Sequence, residues 1–416
     1  MSEEYEELRE HDSEVADALN GELNRQGNTL TMIASENHAS QHVMEAQGSE
    51  LTNKYAEGYA GSRYYAGCEF ADVVERLAID RARELWGAEH VNVQPHSGTQ
   101  ANQAVYLAEL EPNDTILSLK LSHGGHLSHG SNVNFTGQIY NSEHYEVDTS
   151  NGYLDYEAIQ DKAEDVEPDI LVSGFSAYPR EVDFEQMQEI AESVDAVHIA
   201  DIAHITGLVA AGAHQNPVGI VDYVTGSTHK TIRAGRGGII MTSDENADKV
   251  DKAVFPGSQG GPAMHNIAGK AVGFGEALTE NFQQYIEQVQ LNTTVLAEEL
   301  QEAGFKLVSG GTDTHLVLID FQDTHPELTG KIAEEALSDV GIIANKNTVP
   351  NDSRSPFVTS GLRLGTPAIT TRGFDEDGIR QLSDCIVRVL EEPESTKVQM
   401  SVAEKVSGLC ERYDLY

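Results

Sequence analysis

Between residues 90 and 242 short apolar runs alternate with stretches of helical pattern, and this alternation constrains the fold more than any other feature. HVNVQP (90–95) precedes SGTQANQAVYLAEL, and DTILSL (114–119) precedes a segment rich in glycine and histidine. DILVSG (169–174), AVHIAD (196–201), YVTGST (223–228) and GGIIMT (237–242) come after them. Strands that take turns with helices pack as a mostly parallel sheet with helices on both faces. In such sheets ligands gather at the carboxyl ends of the strands. Residues from about 5 to 24 read as an acidic surface helix, and FADVVERLAIDRARELWG (70–87) as an amphipathic helix stopped by Gly87. A helical stretch from about 262 to 303 leads to GFKLVS, THLVLIDF and a helical tail. The expected fold is α/β, with a large domain over 1–280 and a smaller C-terminal α/β domain over 281–416.

Charge adds a statement about surroundings. Asp and Glu outnumber Lys and Arg by 68 to 27, for a net charge of −41. The acids are spread along a chain that keeps its Val, Ile, Leu and Gly, which argues against disorder. At about 1 M salt the Debye length shrinks to roughly 3 Å and self-repulsion is screened, so the expected habitat is a salt-rich cytoplasm. The absence of a basic face argues against nucleic acid as a partner. No run of about 18 apolar residues suggests a membrane span, and the acidic N-terminus does not read as a signal peptide. Cys68, Cys385 and Cys410 form no CxxC pair and read as reduced thiols.

Several residues can carry chemistry. SGTQAN (97–102) lies after a strand and opens a helix, so Ser97, Gly98 and Thr99 can aim N–H groups and hydroxyls at an anion, or simply cap the helix. Asp201 ends an apolar strand, either capping the next helix or pointing its charge into a site; nearby His204 could equally be a satisfied core histidine. HGGHLSHG (123–130) has three histidines, but Gly124 and Gly125 break a helical face and no HExxH glutamate is near, so no metal is expected. GSTHKT (226–231) is not a phosphate loop, because His229 stands where that motif needs glycine. Lys230 is left with the carbonyl chemistry of a desolvated amine, which forms a Schiff base. A lysine for an aldehyde, an acid for a pyridine nitrogen and a phosphate cradle are together what pyridoxal phosphate requires.

With LTMIASEN (30–37), NKYAEGYAGSRYYAGCEF (53–70), FPGSQGGPAMH (255–265) and NKNTVPNDSRSPFVTSGLRLGTPA (345–368), the sequence resembles the serine hydroxymethyltransferase family. That family belongs to the aspartate-aminotransferase-like class of pyridoxal-phosphate enzymes, so the resemblance implies a mostly parallel seven-stranded sheet in the large domain. It implies that Lys230 holds the cofactor, Asp201 faces its ring nitrogen, and His204 and Ser176 serve the phenolic oxygen. Ser97, Gly98 and Thr99 would bind the phosphate and Arg236 would support it, with Tyr55 and Gly261 reaching over from a second subunit; Ser227 would also bind the cofactor, and His126 would stack on the ring. Arg363 and Ser35 would hold the substrate carboxylate, and Glu57 and Tyr65 of the second subunit would lie at its side chain, Glu57 transferring a proton. His229 matches a position tied to reaction specificity. Leu121, Gly125, His126, Leu127, Asn347, Ser355, Pro356 and Phe357 match the pterin site.

The implied reaction takes L-serine and tetrahydrofolate, or a related tetrahydropterin, to glycine, the methylene-pterin and water. The implied assembly is a homodimer, with a tetramer open. The alternatives are a threonine-aldolase-like lyase and a non-catalytic oligomeric scaffold. One departure is visible: after the lysine the chain reads THKTIRAGRGG, with Gly235 where the family has proline. Without the resemblance, YAEGYAGSRYY reads as a surface turn, and RLGTP as a strand end with a solvated arginine.

Overall fold

The computed structural model describes residues 5–415. Its main sheet holds β1 (His90–Asn92), β2 (Thr115–Leu119), β3 (Asn141–Tyr145), β4 (Ile170–Gly174), β5 (Val197–Asp201), β6 (Tyr223–Ser227) and β7 (Gly238–Thr242). The spatial order is β1-β7-β6-β5-β4-β2-β3. β7 runs antiparallel to both neighbours, and every other pairing is parallel. β4, β6 and β7 are buried along their whole length, as strands covered on both faces should be. The sequence reading did not find β3. Its residues, NSEHY, are polar and partly exposed, a pattern suited to a sheet edge and poor in apolar signal.

The expected helix over 70–87 is Glu69–Trp86, and Gly87 ends it in the left-handed region at φ 77. The acidic N-terminal stretch is two helices, Glu6–His11 and Ser13–Asn28, divided at Asp12, whose side chain caps the second. The stretch from 262 to 303 is likewise two helices, Met264–Ala277 and Glu280–Glu302. The second of these serves two apolar cores. Phe282, Ile286 and Val289 join the core under the main sheet, whereas Leu296 and Leu300 join one built with a smaller sheet. That smaller antiparallel sheet contains β8 (Lys306–Leu307), β9 (Leu316–Asp320), β10 (Asn345–Asn347) and β11 (Gly361–Gly365) in the order β8-β9-β11-β10. Leu30 and Met32, from the N-terminal segment, are buried in the second core, so residues 33–37 are delivered between the two.

Candidate active site

A cavity of about 210 Å³ opens where β5 and β6 end and the helix Gly98–Glu109 begins. Asp201, the last residue of β5, is 9% exposed. Its Oδ2 accepts from Asn102 Nδ2 and meets His129 Nε2, both at 2.8 Å, and its Oδ1 accepts from the Ala203 amide at 2.9 Å. Burial pushes this carboxyl's pKa up, but the hydrogen bond and charge of His129 prevail, and it is held well below the ordinary carboxylate range. The carboxylate ties the turn that leads to the helix Thr206–Ala210, without capping that helix itself, and it faces the cavity.

His126 has its orientation set by a relay. Asn102 Nδ2 also donates to Ser128 Oγ at 3.0 Å, and Ser128 Oγ lies 2.7 Å from His126 Nδ1. The Ser128 amide donates to that same nitrogen at 3.1 Å, so Nδ1 is the acceptor and the neutral ring carries its proton on Nε2. Burial and the neighbouring His129 lower its pKa to about 4. The three histidines at 123, 126 and 129 thus have separate partners: Glu146 near His123, Ser128 at His126 and Asp201 at His129.

Lys230 is 8% exposed and lines the cavity. Burial lowers its pKa to about 8; Asp201 opposes this, and Arg363 and Arg236 add to it. Its carbonyl is gripped by Asn37 Nδ2 at 2.9 Å and by the Arg233 amide at 3.1 Å. Arg233 adopts a left-handed φ of 57 and lays its guanidinium 3.9 Å over the Tyr285 ring. His204 pairs Nδ1 to His315 Nε2 at 3.2 Å, and burial, then Lys230, hold its pKa far down, so it presents a neutral ring. His229 is likewise lowered, to about 3, by burial and by Arg236.

Arg363 is not the solvated arginine that RLGTP alone suggests. It is 9% exposed, donates through Nη1 to the Ser176 carbonyl at 2.6 Å and through Nε to Asn345 Oδ1 at 3.2 Å. Among the described residues it forms no ion pair. A buried guanidinium without an acid is costly unless an anion completes it.

At the opposite wall Ser97 caps its helix, its Oγ accepting from the Gln100 amide at 3.2 Å, while Ser97, Gly98 and Thr99 all line the cavity. Gly98 packs closely on β6, since a Cβ there would stand 2.6 Å from Ser227 Oγ and force that hydroxyl to shift. Arg236 is exposed on the same wall. The donor set therefore fits a ring with an aldehyde and a phosphate: an amine whose pKa is lowered to about 8, a locked carboxylate and a helix N-terminus flanked by hydroxyls. Gly235, the departure from the family pattern, packs against a helix backbone; a Cβ there would be 2.8 Å from the Gly269 carbonyl carbon.

The cavity brings together Ser97, Gly98, Thr99, His126, Ser176, Asp201, His204, Ser227, His229, Lys230 and Arg236. Ser35 is half-buried near β11, where the Met32 carbonyl accepts from the Gly365 amide at 2.7 Å. Tyr55, Glu57, Tyr65 and Gly261 are not in this cavity. They form a cluster of their own, with Tyr55 Oη 3.2 Å from Glu57 Oε1, the Tyr55 and Tyr65 rings 5.2 Å apart and Gly261 over the Tyr55 ring. The hairpin that carries them pairs Gly58–Tyr59 with Ser62–Arg63, so the turn read from sequence is an ordered one. Of the remaining positions, Leu121, Leu127 and Phe357 are exposed, Asn347 ends β10, and Gly125 packs so closely that a Cβ would be 2.1 Å from the Leu119 carbonyl oxygen. Ser355 and Pro356 lie in a turn closed by the Val358 amide on the Ser355 carbonyl at 2.9 Å. Sequence reasoning missed Asn37, Asn102, His129 and His315, which touch the site residues. Asn37 of LTMIASEN, Asn102 of SGTQAN and His129 of HGGHLSHG stood inside segments singled out for their chemistry, and His315 inside THLVLIDF, read only as a strand.

The family model described as serine hydroxymethyltransferase matches residues 8–386. A protein named serine hydroxymethyltransferase from Haloarcula marismortui is 65% identical over 412 residues, covering 99% of both chains. One of the same name from Halorubrum lacusprofundi is 64% identical over 413 residues, covering 99% of this chain and 100% of its own. A third, from Halobacterium salinarum, is 63% identical over 412 residues and 99% of each chain.

Proposed function

The chain belongs to the serine hydroxymethyltransferase family, and from that premise we propose that its cavity converts L-serine and tetrahydrofolate, or a related tetrahydropterin, reversibly to glycine, the 5,10-methylene-pterin and water. The observation that carries this is one buried amine, Lys230, sharing a cavity with a locked carboxylate, Asp201, while Arg363, with no ion pair among the described residues, holds the carbonyl of the lining residue Ser176. Pyridoxal phosphate, held at Lys230, Asp201 and the turn of Ser97, Gly98 and Thr99, supplies the electron sink that lets a Cα–Cβ bond break.

The residues divide the remaining work. Arg363, helped by Ser35, binds the substrate carboxylate and fixes which bond of serine is presented. Asp201, kept ionised by His129, holds a proton on the ring nitrogen. His126 lies against the ring face, Ser176 and neutral His204 serve the phenolic oxygen, and Ser227 and Arg236 complete the phosphate site. His229, beside the lysine, bears on reaction specificity. Leu121, Gly125, His126, Leu127, Asn347, Ser355, Pro356 and Phe357 receive the pterin, and the exposed apolar groups among them favour a flat ring. Glu57 moves a proton at the substrate hydroxyl, with Tyr65 beside it and Tyr55 and Gly261 at the phosphate, all lent by a second copy.

That last assignment makes the working unit a homodimer, with a tetramer open. Phe70, Val73 and Leu77 recur on one helical face and are exposed, at 80% for Phe70, which supports a covered face next to the hairpin. The division into 1–280 and 281–416 is supported by two cores that meet along the helix begun at Glu280. A salt-rich cytoplasm is supported by the charge of −41 and three buried, unpaired thiols. Among the described residues no helix is long and apolar enough to cross a membrane. The threonine-aldolase-like lyase and the non-catalytic scaffold are not favoured, since relatives above 60% identity over the full length carry the transferase name.

The test is visible absorption of the purified protein in concentrated KCl, first with glycine and then with tetrahydrofolate. A new long-wavelength band that grows only when both are present supports the assignment. A cofactor band indifferent to folate would point to the lyase or to a different pterin.

A further inference from the structure

Lys270, on the helix Met264–Ala277, is 1% exposed and has no place in the chemistry above. Its Nζ donates to three carbonyl oxygens: Val93 at 2.6 Å, Pro95 at 3.0 Å and Gly238 at 2.8 Å. An ammonium has three donors and no acceptor, so this cage uses each of them and suits the charged form, although burial lowers the amine's pKa to about 7 against the pull of Glu75. Lys270 forms no ion pair among the described residues. Burying an ammonium without a counter-ion costs several kcal/mol, and a neutral amide would join the same segments without that penalty.

The identity of the three carbonyls gives the reason. Val93 and Pro95 lead from β1 into Ser97, Gly98 and Thr99, while Gly238 opens β7 directly after Arg236 and Gly237. The Gly238 amide donates to the Pro95 carbonyl at 2.9 Å, and the Thr228 amide to the Gly237 carbonyl at 3.0 Å. The ammonium thus sits where the turn of Ser97 meets the loop that carries Lys230 and Arg236. Gly237 leaves the space for it, since a Cβ there would lie 2.2 Å from Lys270 Cε. Burial is the main cause of the lowered pKa values of His96 and His229, and the Lys270 charge adds a smaller part to each.

We propose that Lys270 is a positioning residue for phosphate: it ties the turn of Ser97, Gly98 and Thr99 to the Arg236 loop and supplies a buried positive charge that a bound phosphate answers. This rests on the reading of Ser97, Gly98 and Thr99 as the phosphate cradle. A helix-to-loop stitch alone would set stability; a charge aimed at phosphate also sets affinity for that group.

The experiment uses the apoprotein in concentrated KCl and reads stabilisation by inorganic phosphate, then affinity for pyridoxal phosphate and for pyridoxal, which lacks the phosphate. In Lys270→Met, phosphate and pyridoxal phosphate should each bind about tenfold more weakly or worse, about 1.4 kcal/mol, with pyridoxal unchanged. A Lys270→Met protein that binds all three as the parent does, whatever its melting temperature, overturns the proposal. Thr99→Val run in parallel separates the two layers. If Thr99→Val leaves phosphate binding intact, the cradle reading itself fails; if it weakens phosphate and Lys270→Met does not, only the role of Lys270 fails. Should Lys270→Met not fold, Gly237→Ala takes its place, because it keeps the charge but displaces the ammonium from its carbonyls. Parent-like phosphate affinity in Gly237→Ala would then be the contradicting result.

Discussion

His129 Nε2 meets Asp201 Oδ2 at 2.8 Å, with both side chains buried. The pair explains how an acid at the end of an apolar strand stays ionised. With Asn102 on the same oxygen, the carboxylate is turned and charged before any ligand arrives.

The sign of that shift gives a first prediction. A depressed carboxyl pKa contributes stability that is present above the unfolded value, near 3.9, and is lost only as pH falls through the lower folded value. His129→Gln weakens the support while burial still opposes the charge, so the apoprotein should lose about 1–3 kcal/mol at pH 7. It should also begin acid unfolding at higher pH than the parent. Denaturant titrations from pH 3 to 7 in concentrated KCl measure both.

Lys230 has a pKa lowered to about 8 by burial. Its neutral form is the nucleophile, so cofactor loading of the apoprotein should quicken as pH rises through about 8 and level off above it. Stopped-flow absorption against pH reads the midpoint. Lys230→Ala should lower turnover by at least about 10²-fold while the protein still folds.

Arg363 is buried and forms no ion pair among the described residues. Arg363→Ala should weaken serine and glycine by about 10²-fold or more, the scale of leaving one charge of a buried pair alone. The absorption of bound cofactor should persist. Equilibrium titration of that band with glycine gives the affinity directly.

Gly235 sits 3.1 Å from the Cβ position of Gly269, and its own Cβ would meet that glycine's carbonyl carbon at 2.8 Å. Gly235→Ala should therefore cost about 1–3 kcal/mol by overpacking, and Gly235→Pro should not be tolerated better. Urea unfolding of the two variants decides this.

The net charge of −41 gives a salt prediction. Lowering KCl from about 1 M to 0.1 M lengthens screening from roughly 3 to 10 Å, so the melting temperature should fall steadily over that range. A midpoint independent of salt would remove the adaptation reading.

The sequence made the architecture legible wherever apolar periodicity is strong: β2, β4, β5, β6 and β7 all fall inside runs visible by eye. The edge strand β3 was not legible, because an edge needs no apolar face. That Lys230, Asp201 and Ser97 line one cavity was readable because each stands at or just after a strand end. His129, Asn102 and His315 were not, since each matters through a partner 72 to 111 residues away. The arginine of RLGTP shows the same limit: its burial depends on Ser176 and Asn345, which only the folded chain brings to it.

The most direct measurement is glycine formed from L-serine by the purified protein in concentrated KCl with pyridoxal phosphate, with and without tetrahydrofolate or the related pterin of its host. Glycine and methylene-pterin should appear in equal amounts, and Lys230→Ala should abolish both. Serine left intact by the loaded protein with either pterin, while threonine is cleaved, would contradict the account.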